Sequence, residues 1–176
     1  GQNRTTITNT YNTGAVSGTA QYVGGVAGWN LSVITDAYNT GAVSGTDLYV
    51  GGVAGQNSAT ITNTYNTGSV SGTNVVGGVV GQNNGKIENT YNTGSVTGMF
   101  SLGGVAGANV STITNVYNTG IVTGTGQAAH IGGVVGWNDT KGKITNAYNT
   151  GAVSGTTDVG GVAGTNADTI TNTWYA

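Results

Sequence analysis

Hydrophobic and polar positions recur along this chain in a fixed frame. Read from Tyr65, the frame is Tyr-Asn-Thr-Gly-Ser-Val-Ser-Gly, a short gap, Val-Val-Gly-Gly-Val-Val-Gly-Gln-Asn, a second gap, then Ile-Glu-Asn-Thr before Tyr91. The anchoring Tyr recurs at 11, 38, 65, 91, 117 and 148, with Trp174 in the seventh place, so the steps are 27, 27, 26, 26, 31 and 26 residues. A fixed period in this range marks stacked units, each unable to bury its apolar face alone. Every repeat holds three short strand-like pieces, as at 60–65, 68–72 and 76–81. They are rich in Val, Ile, Thr and Tyr and are separated by Gly and Asn, residues that suit turns. No apolar period of 3.6 appears, and a Gly every few residues would cost a helix about 1 kcal/mol each.

The expected fold is all-β: a parallel β-helix of three short strands per ~26-residue coil, about six and a half coils long, with strands ~4.8 Å apart. Residues 1–176 read as a single solenoid array. Like residues then stack on like. Ile7, Ile34, Ile61, Ile87, Ile113, Ile144 and Ile170 form one inward column, and Val16, Val43, Val70, Val96, Val122 and Val153 a second. Val26, Val53, Val79, Val105, Val134 and Val162 form a third. Val23, Val50, Val76, Leu102, Ile131 and Val159 form a fourth. The two valines of Val-Gly-Gly-Val are three apart, so strict alternation cannot bury both. A bulge or a glycine bend is required there, and the facing of that strand stays open. Asn recurs in three columns, after Tyr, two before Tyr and in Gly-x-Asn, which suits hydrogen-bonded amide ladders along the axis.

Spacing separates rigid corners from tolerant ones. Ile to Tyr is always four residues and Tyr to Val always five. The long repeat places its insertions elsewhere, three residues within 125–130 and two within 139–143, as expected of solvent-facing loops.

The motif Ile-Thr-Asn-x-Tyr-Asn-Thr-Gly-x-Val-Ser-Gly followed by Val-Gly-Gly-Val-Ala-Gly-x-Asn resembles the GLUG repeat over the whole chain. The resemblance implies a right-handed β-solenoid similar to the adhesin-like shafts of large bacterial surface and secreted proteins. It implies an extracellular or cell-surface location and supplies no catalytic residues. The function it suggests is a non-catalytic structural shaft or a fibre-forming segment.

Composition narrows the chemistry. Of 34 Gly in 176 residues, 30 fall in five columns over six repeats, so their phase is structural and not a sign of low complexity. There is no Cys, and the four cations Arg4, Lys86, Lys141 and Lys143 make no basic stripe in a chain of net charge −2. Nucleic-acid binding and membrane insertion are not expected. The acids Asp36, Asp47, Glu88, Asp139, Asp158 and Asp168 form no paired site or Asp-rich loop, and His130 reads as an exposed loop residue. No cofactor, metal or enzymatic activity is expected. The sequons at Asn3, Asn30, Asn109 and Asn138 are what chance gives in a chain this rich in Asn and Thr.

Two surfaces offer alternatives to a bare shaft. The aromatic column Tyr11, Tyr38, Tyr65, Tyr91, Tyr117, Tyr148 and Trp174 could contact a glycan or host receptor, although rings ~4.8 Å apart also stack on one another. Thr flanking the inward Ile gives ranks such as Thr6/Thr8, Thr60/Thr62, Thr112/Thr114 and Thr169/Thr171, which resemble an ice-binding face. Val33, Lys86 with Glu88, and Lys143 interrupt them. The first residues begin mid-repeat and the last stop after Trp174, so open strand edges make end-to-end self-association a further expectation.

Overall fold

The computed structural model describes every residue except Ala128. All paired strands are parallel, and each pairs with its counterpart one repeat away, as Ile61 with Ile34 and Ile87. The chain is an all-β solenoid of stacked coils, with no helix among the described residues. Coil three shows the path. It runs through Tyr49–Gly51 in a first sheet and Ala54–Asn57 in a second. Thr60–Thr62 and Tyr65–Asn66 follow in a third, and Val70–Ser71 in a fourth.

Four sheets rather than three line the coil. The expected single strand over Val-Gly-Gly-Val-Val-Gly is split, because the chain turns at its glycine pair. Val50 closes the first sheet's inward face, Val53 sits at the corner, and Ala54 opens the second sheet. Both valines are therefore buried, at 1% and 0% exposure, which a continuous pleat could not achieve. A Cβ on Gly51 would meet the Ala54 carbonyl across this bend. The local reason for the split is thus a close backbone approach that only glycine permits.

All four expected columns are buried through the middle coils, but they form two cores and not one. The Ile column packs with Val53, Ala54 and their counterparts between the second and third sheets. The Val43 and Val50 columns pack between the fourth and first sheets, as a separate cluster. Two links carry the chain from one core to the other, Tyr-Asn-Thr-Gly and Gly-Gly. They touch: a Cβ on Gly52 would run into the Asn66 side chain and the Gly78 carbonyl. The second glycine column exists because the asparagine after Tyr occupies the space its side chain would need.

The asparagines form ladders. Asn3, Asn30, Asn57, Asn83, Asn109, Asn138 and Asn166 are joined by six Nδ2–H to Oδ1 bonds of 2.7–2.9 Å. Asn12 through Asn149 are joined by five of 2.7–2.8 Å, and each donor amide also reaches the Gly carbonyl two residues on. The third column is exposed and lies in the left-handed region, with φ of 50–54° from Asn9 to Asn172. Asn tolerates that conformation better than any branched residue, which accounts for its recurrence there. Asp36 stands in this column as an acceptor only, and Asn63 donates to it at 3.2 Å.

The insertion within 139–143 is a tight turn, closed by Gly142 N–H to the Asp139 carbonyl at 2.7 Å. Asn138 still donates across it to the Gly142 carbonyl, so its ladder is uninterrupted. The insertion within 125–130 contains Ala128, which lies outside the described residues. On either side of it, Gly126 and His130 have φ of +67° and +59°.

Candidate functional site

The aromatic column is built by the third sheet. The left-handed Asn (Asp36 before Tyr38) two residues before each Tyr of the column re-aims the strand, so the ring points outward while the next residue, Asn, points in. Tyr11 to Tyr148 stack with centroids 4.7–5.2 Å apart and planes within 8° of parallel. Trp174 continues the column on Tyr148 at 4.6 Å. From Tyr38 to Tyr148 every ring has another ring on both faces. A sugar that grips an aromatic by its C–H face would find only ring edges along this stretch. The stack also shields the Tyr117 phenol. Burial, and then the neighbouring Tyr91 and Tyr148, raise the Tyr117 phenol above its ordinary value of 10.0.

The Thr ranks are cut across at mid-length. In the coil above Thr60 and Thr62, the same two positions are Lys86 and Glu88, joined by an ion pair at 2.6 Å. A regular hydroxyl lattice is therefore limited to the coils on either side of that pair. The four sequon asparagines, Asn3, Asn30, Asn109 and Asn138, are members of the first buried ladder, at 0–5% exposure. Their amides are inaccessible to a glycosylating enzyme in the folded chain.

One family model matches, the GLUG motif, over residues 19–44, 46–71 and 127–154. The chain carries GLUG repeats. Comparison with curated proteins and with solved structures found no match. The matched windows have a structural meaning. Residues 46–71 begin just before Tyr49–Gly51 and end on Val70–Ser71, so one GLUG repeat is one complete coil through all four sheets.

The third GLUG repeat holds the feature that sequence reasoning misplaced. His130 is not an exposed loop residue. Its side chain is 27% exposed, with Nδ1 2.6 Å from the Thr165 hydroxyl and 3.3 Å from Asp158 Oδ2. Its ring lies 4.7 Å from Trp137, tilted by 56°. The positive φ at His130 turns the ring back onto the coil instead of outward. Acid, imidazole and hydroxyl together suggest a relay, but the geometry is wrong for one. A relay needs the acid on one ring nitrogen and the hydroxyl on the other. Here both partners share Nδ1, and the cluster ties adjacent coils together. No group of three or more His, Cys, Asp or Glu among the described residues is placed to hold a metal.

Sequence reasoning also passed over the outward positions of the first and second sheets. They vary from coil to coil: Tyr49, Val75 and Ser101 in one rank, Gln56, Gln82, Ala108 and Trp137 in the other. Variation against an otherwise strict repeat was the available signal.

Proposed function

We propose that this GLUG-repeat chain is a non-catalytic shaft segment of a bacterial extracellular or surface protein, holding another part of that protein away from the cell or contributing to a fibre. The observation that carries this reading is the direction of its strongest interactions. Strand pairing, two buried amide ladders and the aromatic stack all run along the axis, from coil to coil. The chain thereby uses its polar and aromatic groups to hold itself straight. Such an arrangement resists pulling and bending, because every coil is tied to the next at many points on its perimeter.

Labelling of intact cells of the source organism with an antibody to this segment tests the reading. Labelling without permeabilisation is the expected result. A signal that appears only after the envelope is opened rejects the extracellular shaft.

A further inference from the structure

Where the first and second sheets meet, their outer faces turn toward each other and form a groove along the solenoid. At one end of it Tyr22 and Trp29 fill the groove by ring contact at 5.4 Å. Further along, the ranks shrink to Ser101 and Ala108, and a pit of about 270 Å³ opens. Val75 and Gln82 bound it on one side and Trp137 and Asp139 on the other. Its floor is settled: Ser101 is 6% exposed and donates to the Gly107 carbonyl at 2.8 Å.

The rim is not settled. Trp29 and Trp137 occupy the same position of the repeat, in register through Gln56, Gln82 and Ala108. The Trp29 indole N–H donates to Ser58 at 2.9 Å in the next coil. The residue in that place above Trp137 is Ala167, which has no hydroxyl, and the Trp137 N–H has no partner among the described residues. Trp137 is also 41% exposed. Asp139 accepts from Thr140 N–H through Oδ1 at 2.7 Å and leaves Oδ2 open. Gln82 donates to Asn84 at 2.9 Å and leaves its carbonyl open. One donor and two acceptors thus surround an apolar, aromatic-walled depression.

We propose that this pit binds one pyranose ring of a neutral carbohydrate, its C–H face against Trp137 and its hydroxyls donating to Asp139 and Gln82, with the in-plane Trp137 N–H left to solvent at the rim. Sugar hydroxyls donate, so they can satisfy both open acceptors. An apolar side chain of a protein partner would fill the volume but strip water from them without replacement. Asp139 disfavours an acidic sugar. This site is separate from the Tyr column and does not depend on the shaft reading.

The test uses the full ¹⁵N-labelled chain and the indole N–H signals of its three tryptophans, with Trp137 assigned by Trp137→Phe. Glucose, galactose, mannose, N-acetylglucosamine and N-acetylgalactosamine are titrated singly. At least one should shift the Trp137 signal saturably, with a Kd on the order of millimolar, leaving Trp29 and Trp174 unmoved. Ala108→Leu, which fills the pit from an outward position, should abolish the shift without altering thermal unfolding. Asp139→Asn should weaken binding about tenfold, having lost a charged acceptor. The proposal is overturned by no Trp137 shift with any sugar up to about 50 mM. It is equally overturned by a shift that survives Ala108→Leu, or by saturation with indole and with none of the sugars.

Discussion

Replacing Asn66 by Ala removes one rung from the buried ladder in the middle of the solenoid. Asn66 is fully buried and takes part in three hydrogen bonds. It donates to the Gly68 carbonyl at 2.7 Å and to Asn92 Oδ1 at 2.8 Å, and it accepts from Asn39 at 2.7 Å. After truncation Asn39 keeps its bond to the Gly41 carbonyl, and Asn92 Oδ1 keeps the Gly94 N–H at 3.3 Å. The Gly68 carbonyl loses its side-chain donor. Three bonds at a net ~1 kcal/mol each, with one buried acceptor and one buried Asn39 N–H orphaned, give a cost of at least about 3–4 kcal/mol. The reference is Asn63→Gly in the exposed ladder. That change removes only surface bonds of 3.2, 3.4 and 3.5 Å and keeps a residue suited to φ of 51°, so it should cost within about 1 kcal/mol. Guanidinium unfolding followed by far-UV circular dichroism reads both. Because each coil contacts only its neighbours, the Asn66→Ala transition should also broaden or split as the two ends of the solenoid uncouple. Asn66→Asp sharpens the argument. Its carboxylate cannot donate, whereas its protonated form regains one donor, so the destabilisation should shrink as pH falls. An Asn66→Ala cost below about 1 kcal/mol, or no larger than that of Asn63→Gly, would refute the claim that the buried ladder holds the coils together.

Three further outcomes are expected. Ile87→Ala, at a fully buried position of the first core, should cost about 2–5 kcal/mol in the same unfolding experiment, the usual range for a large cavity. Gly52→Ala should prevent the native corner from forming, since the new methyl would overlap the Gly78 carbonyl and the Asn66 amide, and should be seen as lost solubility or a collapsed unfolding midpoint. The Tyr117 phenol, raised in the folded chain, favours folding fully below the unfolded value near 10; that contribution is lost as pH rises through the higher folded value. Ring-labelled NMR should therefore show Tyr117 ionising later in the folded chain than in denaturant, and stability falling above pH 10.

Much of this protein is legible in one dimension because its tertiary contacts repeat its sequence. When each residue's neighbours are its own counterparts, a column of Ile in the alignment of repeats is a column of Ile in space. That is why the parallel pairing, the buried Ile and Val columns, the three Asn columns and the stacked Tyr could be read before the coordinates. The invariance of Tyr-Asn-Thr-Gly likewise marked the corner where Asn66 and Gly52 lock together. Contacts within one coil were not legible, since they join different columns and carry no period. The splitting of Val-Gly-Gly-Val between two sheets depends on how close the Gly51 backbone comes to Ala54. The division into two cores depends on the Asn-to-glycine contact across the coil. The turning back of His130 depends on a positive φ in an inserted segment, and the pit beside Trp137 on two ranks of side chains that meet only once the coil is closed. Sequence determined what stacks on what along the axis, because stacking is local in the repeat. Only the closed cross-section decided what faces what around it.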